Sequence, residues 1–112
     1  MSAVVKTSQN PLAVLTRTAA LLSRAADRAT EVAVVEPERM MSSLALGAQL
    51  AATRTLELLP PLGDLPEVGG DDPVLLLVAA ERELRSFPPE QYPPGTSHVV
   101  VAVCDLIREH RP

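Results

Sequence analysis

The chain has 112 residues, 46% of them apolar, and a formal charge of −4. That length predicts one domain with a modest core. With no Trp, one Phe (Phe87) and one Tyr (Tyr92), the core has to be filled by Leu, Ala and Val, and a large ligand cavity or base-stacking surface is disfavoured.

Charge is divided unevenly. Residues 1–56 hold six basic and four acidic side chains, whereas residues 57–112 hold four basic and ten acidic ones. Neither half has the basic cluster that neutralises phosphates, which argues against nucleic-acid binding. Nine of the ten basic residues are Arg, a bias that with the abundant Ala and Pro fits a GC-rich, bacterial coding sequence. Cys104 is the only cysteine and has no intramolecular partner, so the fold does not depend on an oxidising compartment. No apolar run approaches the ~18 residues of a membrane span. Thr16, Arg17 and Thr18 interrupt the one stretch resembling a signal peptide. The expectation is a cytoplasmic protein that does not engage a membrane.

Residues 1–9 read as a flexible tail, followed by a single helical domain over 10–112. Asn10-Pro11 is a helix start: the Asn side chain can accept from free N–H groups, and Pro at the first position sacrifices no hydrogen bond. The helix from Pro11 is predicted to run to Thr30 or as far as Val35. Its seam is Leu12, Leu15, Ala19, Leu22, Ala26, Ala29 and Ala33, at alternating three- and four-residue steps. Arg24, Asp27, Arg28 and Glu31 are spaced for ion pairs along its outer face.

Residues 32–36 (VAVVE) are the ambiguous join. The valines lower helix propensity, and Pro37 disfavours helical geometry at Glu36. The simplest reading is a break there, with Pro37 opening a second helix to Leu59. A kinked continuous helix over 11–59 and a short strand at 32–35 are the alternatives. The second helix has its own seam in Met41, Leu44, Ala48, Ala51, Thr55 and Leu58, and Pro60-Pro61 ends it. Both seams are rich in Ala, which lets two backbones approach closely.

The loop over 60–72 is rich in Pro, Gly and acids, and Leu62, Leu65 and Val68 suggest that it lies across the core. Asp72-Pro73 repeats the cap-plus-Pro signal and opens a third helix predicted to reach Phe87. Residues 88–96 (PPEQYPPGT) form a second Pro-rich loop, expected to be extended. Ser97 would then cap a last helix over 98–109, with Val99, Val100, Val103, Cys104, Leu106 and Ile107 facing inward. Its first part, HVVVAVC, also has strand composition. The predicted fold class is therefore all-α, a small four-helix bundle-like domain built on a long helical hairpin; the alternative is α+β with a strand at 98–104.

Chemistry-bearing residues are sparse. His98 and Cys104 are six apart, which on a helix leaves them about 120° apart, so they cannot form a nucleophile–base pair. His98 and His110 would lie ~18 Å apart on one helix, too far to share a metal. Glu67, Asp71 and Asp72 lack the dense oxygen alternation of a calcium loop. The glycines before Asp71 could hold an anion, but the acids there would repel it. The second helix lacks the basic recognition helix of a DNA reader after Gly47. No catalytic, metal or cofactor residue is assigned; acid/base work by Glu38, Glu81 and Asp105 would be needed for an enzyme. What remains is contact surface: Met40, Met41, Leu44, Ala48 and Ala51 are the candidate interaction residues. The expected function is protein–protein association, as a self-associating, accessory or regulatory subunit whose acidic half steers a basic partner. The alternative is a carrier holding a small apolar molecule between the hairpin and the last two helices.

Overall fold

The computed structural model describes residues 10–61 and 63–111. The tail reading over 1–9 and the placement of Leu62 lie outside those residues.

Among them are four α-helices and no strand: α1 (Pro11–Val35), α2 (Ser42–Glu57), α3 (Pro73–Leu84) and α4 (Thr96–His110). The all-α class is as predicted, and both proposed strands are helical. α1 begins as its sequence demands, with Asn10 Oδ1 accepting from the Ala13 N–H at 2.8 Å and Pro11 in the first turn. Its valine-rich end stays helical as far as Val35. Burial of Val32 and hydrogen bonding of the Glu36 N–H to the Val32 carbonyl offset the weak propensity there.

The hairpin turn differs from expectation. Pro37 opens a short 3₁₀ turn, Pro37–Arg39, and Met40 then adopts a left-handed conformation (φ 54°). A residue with positive φ cannot continue an α-helix, so α2 starts at Ser42, five residues later than Pro37. α2 also ends at Glu57; Leu58 and Leu59 continue only through 3₁₀-type bonds to Thr55 and Leu56. α3 stops at Leu84 rather than Phe87: Arg85 and Ser86 continue only through 3₁₀-type bonds to Arg82 and Glu83, and Pro88 disfavours helical geometry at Phe87. α4 begins at Thr96, with Gly95 rather than Ser97 in the capping position.

Four contacts fix the relative directions. Arg17 pairs with Glu83 and Arg24 with Asp71, so α3 runs antiparallel to α1. Gly47 meets Leu106, and Ser43 approaches His110, so α4 runs antiparallel to α2. α1 packs on α2 and α3, and α4 closes the square against the same two helices. Every neighbouring pair is antiparallel. Because α2 and α3 point the same way, residues 58–72 must return along the length of the bundle, a long crossover in place of a short turn.

α1 is the central helix. Its predicted seam is buried from Leu15 to Ala29, but Leu12 is 44% exposed and Ala33 only half-buried. A second stripe, Val14, Thr18, Leu21, Ala25 and Val32, is buried as well, because α1 has two helical neighbours instead of one. The α2 seam, Met41, Leu44, Ala48, Ala51 and Thr55, is buried as predicted, with Leu58 half-buried. Thr18 and Thr55 sit in this core at no polar cost, each hydroxyl donating to the carbonyl four residues back.

The crossover is held on α1. Leu65 and Val68 are half-buried, as their spacing suggested, and Val68 packs on the core. Arg24 donates to the Gly70 carbonyl at 2.9 Å, and Arg28 to the Asp71 carbonyl at 3.1 Å. Of the ion pairs predicted along the outer face of α1, Arg28–Glu31 forms, while Arg24 turns to Asp71 instead. Asp72 then caps α3, accepting from the Val74 and Leu75 N–H groups.

Candidate interaction site

The sequence-derived interaction residues separate in space. Met41, Leu44, Ala48 and Ala51 are buried in this chain's own core. Met40, one residue away, is 76% exposed at the hairpin turn beside the exposed Val34 and Val35. Leu46 and Leu50, one helical turn apart on α2, are also exposed.

A more organised surface lies at the other end of the molecule, where α3 gives way to α4. Pro88, extended, leads the chain away from α3, and Pro89 opens a 3₁₀ turn that ends at Gln91. Tyr92 folds back under this loop. Its hydroxyl donates at 2.9 Å to the carbonyl of Leu84, the last residue of α3, satisfying one of the acceptors that a helix end leaves open. Its ring meets Phe87 edge-to-face, with centroids 6.3 Å apart. Burial raises the Tyr92 phenol above its ordinary pKa; a backbone hydrogen bond at Phe87 opposes the shift and the Glu83 charge adds to it. Gly95, at φ 100°, turns the chain into α4, and the buried Thr96 hydroxyl donates to the Pro93 carbonyl.

These residues enclose a surface groove of about 980 Å³. Its apolar lining comes from Leu84, Phe87, Tyr92, Val100, Val101 and Cys104. Prolines 88, 89, 93 and 94 form much of its border, with Glu81, Arg85, Ser86, Glu90 and Ser97 as the main polar groups. No lining residue belongs to α1 or α2, so the groove lies outside the space between the hairpin and the last two helices, where the carrier reading placed its ligand. In the sequence, the scarcity of aromatics argues against such a site, whereas their position argues for it. Phe87 and Tyr92 flank a Pro-Pro pair, and that short spacing was the available signal.

The titratable groups do not assemble into a reaction centre. Glu81 pairs with Arg85, just past the end of α3, and Asp105 with Arg108 on α4, while Glu38 is exposed in the hairpin turn. Among the described residues no three His, Cys, Asp or Glu side chains converge as a metal site would require. Cys104 is a half-buried free thiol in the groove wall, His98 is exposed, and His110 lies 3.4 Å from the Ser43 hydroxyl. No described helix is long and apolar enough to cross a membrane.

No family model, no curated protein and no solved structure matches this chain.

Proposed function

We propose that this chain is a protein–protein interaction module, an accessory or regulatory subunit that takes an apolar segment of its partner into the α3–α4 groove. The observation that carries this reading is the groove, which gathers the chain's one Phe and one Tyr with exposed Val101 behind a proline border. Interfaces are enriched in aromatic side chains, and prolines hold a binding loop in place so that less conformational entropy is lost on docking. The acidic C-terminal half supports the expectation of a basic partner.

Affinity capture from the source cell with wild-type and Val101→Arg baits, quantified by mass spectrometry, tests the proposal. Val101 is exposed, so the variant folds and places a charge in the apolar lining. The expected result is a partner recovered with wild-type and depleted with the variant. Equal recovery with both, or none with either, counts against the groove as the contact surface.

One observation favours a second reading. A volume of about 980 Å³ falls within the range of small-molecule sites, so the groove could instead serve a carrier of an apolar ligand. Native mass spectrometry separates the two, since a bound small molecule adds a few hundred daltons and a partner chain adds thousands.

A further inference from the structure

We infer that the groove selects an apolar segment flanked by a basic residue, and that Glu90 is the anion that receives the positive charge. This rests on the groove being the protein-binding surface.

The groove has three formally charged lining residues: Glu81, Arg85 and Glu90. Glu81 and Arg85 are ion-paired with each other one helical turn apart, and that pair neutralises itself. Glu90 is exposed and forms no ion pair among the described residues. The ends of two helices also meet here, the C-terminus of α3 and the N-terminus of α4. Their partial charges are of opposite sign and similar size, so they largely offset one another. The uncompensated charge at the groove is therefore that of the Glu90 carboxylate.

Its placement suits the role. Glu90 lies inside the 3₁₀ turn Pro89–Gln91, with Pro88 and Pro89 before it and Pro93 and Pro94 after. Proline fixes its own φ and restricts the residue ahead of it, so the backbone carrying the carboxylate is held beside the apolar lining. A neutral apolar segment would fill the lining and leave this charge partly desolvated without a partner. An acidic segment would be repelled. A segment with Arg or Lys next to its apolar residues satisfies both features, and the acidic half of the chain adds a long-range attraction of the same sign.

The test uses the full chain and three acetylated, amidated nine-residue probes with the same leucine-rich core and one flanking Arg, Gln or Glu. Binding is followed by amide chemical shifts over residues 84–104 and by the Tyr92 ring signals. At low ionic strength the Arg probe should bind about fivefold more tightly than the Gln probe, the range expected of one exposed ion pair, and the Glu probe most weakly. The preference should shrink at high salt. In Glu90→Gln the Arg-to-Gln ratio should fall most of the way to one, with only the weak long-range attraction of the acidic half left, whereas Glu67→Gln, on the crossover loop, should change the ratio little. Equal binding of the Arg and Gln probes in the groove overturns the charge selection while the groove stands as a peptide site. A ratio that Glu90→Gln leaves intact overturns the role of Glu90. If no probe shifts residues 84–104, the reading of the groove as a protein-binding surface fails first.

Discussion

Gly47 faces Leu106 where α2 packs against α4. A methyl group built there would sit 2.5 Å from one Leu106 methyl and 3.3 Å from the Leu106 branch carbon. Alanine at this position would gain ~1 kcal/mol of helix propensity but overlap a side chain that is itself buried, at a cost of ~1–3 kcal/mol. Gly47→Ala should therefore lower stability to urea. In a Leu106→Ala background the overlapping atoms are gone, and the same substitution should raise stability by about 1 kcal/mol. A change of the same sign in both backgrounds would contradict the contact. Tyr92 offers a second residue-level test, through pH. Its phenol is raised in the folded protein, chiefly by burial. The unfolded chain therefore loses the proton first as pH rises past the ordinary value of about 10, and stability should fall from there upward. Urea melts across that range, with absorbance at 295 nm reporting the phenolate, should show the loss. Tyr92→Phe should abolish this component and destabilise the protein at neutral pH by ~1 kcal/mol, because the Leu84 carbonyl loses its donor.

At the scale of elements, the strongest local signals in the sequence were the two Asx-Pro starts, and both helices begin there with the Asx side chain as cap. Asp72→Ala should cost ~1 kcal/mol and should speed amide exchange in the first turn of α3 ahead of the rest of the helix. Uniform protection across α3 would argue against the cap. Two helix starts are set by the turns that precede them and not by a side-chain cap. At Pro37 the prolyl ring is compatible with either an α-helix or a 3₁₀ turn. The choice was made by the reversal the hairpin needs, which places an exposed methionine in left-handed geometry normally left to Gly or Asn. At Thr96 the start is set by Gly95 and a backbone turn, not by a side-chain cap. The α1 and α2 seams were legible because burial on a partner leaves a 3.6-residue period. The second buried stripe of α1 was not, because Thr18 and Ala25 interrupt its apolar pattern and the burial of Val14, Leu21 and Val32 depends on α1 having two helical neighbours. The groove was invisible to periodicity altogether, since a Pro-rich loop has none.

For the whole molecule, the decisive feature is that two hairpins, α1–α2 and α3–α4, are joined by the one connection that runs the length of the bundle. The sequence showed where this connection lay and that part of it is apolar. Its direction of travel depends on α2 and α3 being parallel, which only tertiary contacts reveal. Arg24 and Arg28 hold its far end largely through backbone carbonyls. Asp71, whose side chain is 84% exposed, adds only a screened ion pair. Arg24→Gln with Arg28→Gln should therefore speed amide exchange over residues 65–71 more than Asp71→Asn does, while the cores of α2 and α4 keep their protection. An equal effect from Asp71→Asn would mean that charge, not carbonyl geometry, secures the loop.

The same layout has a consequence for assembly. The contacts between the two hairpins do not depend on both belonging to one chain, so a hairpin from a second copy could occupy the same place and recreate each of them. What keeps the arrangement within one chain is the reach of residues 58–72. α3, with 12 residues, is ~18 Å long, whereas a linker cut to four residues spans at most ~14 Å. Such a shortened chain should exchange hairpins and run as a dimer by light scattering, with its helix content unchanged. The length of this one loop would then set whether the fold closes on itself or on a neighbour.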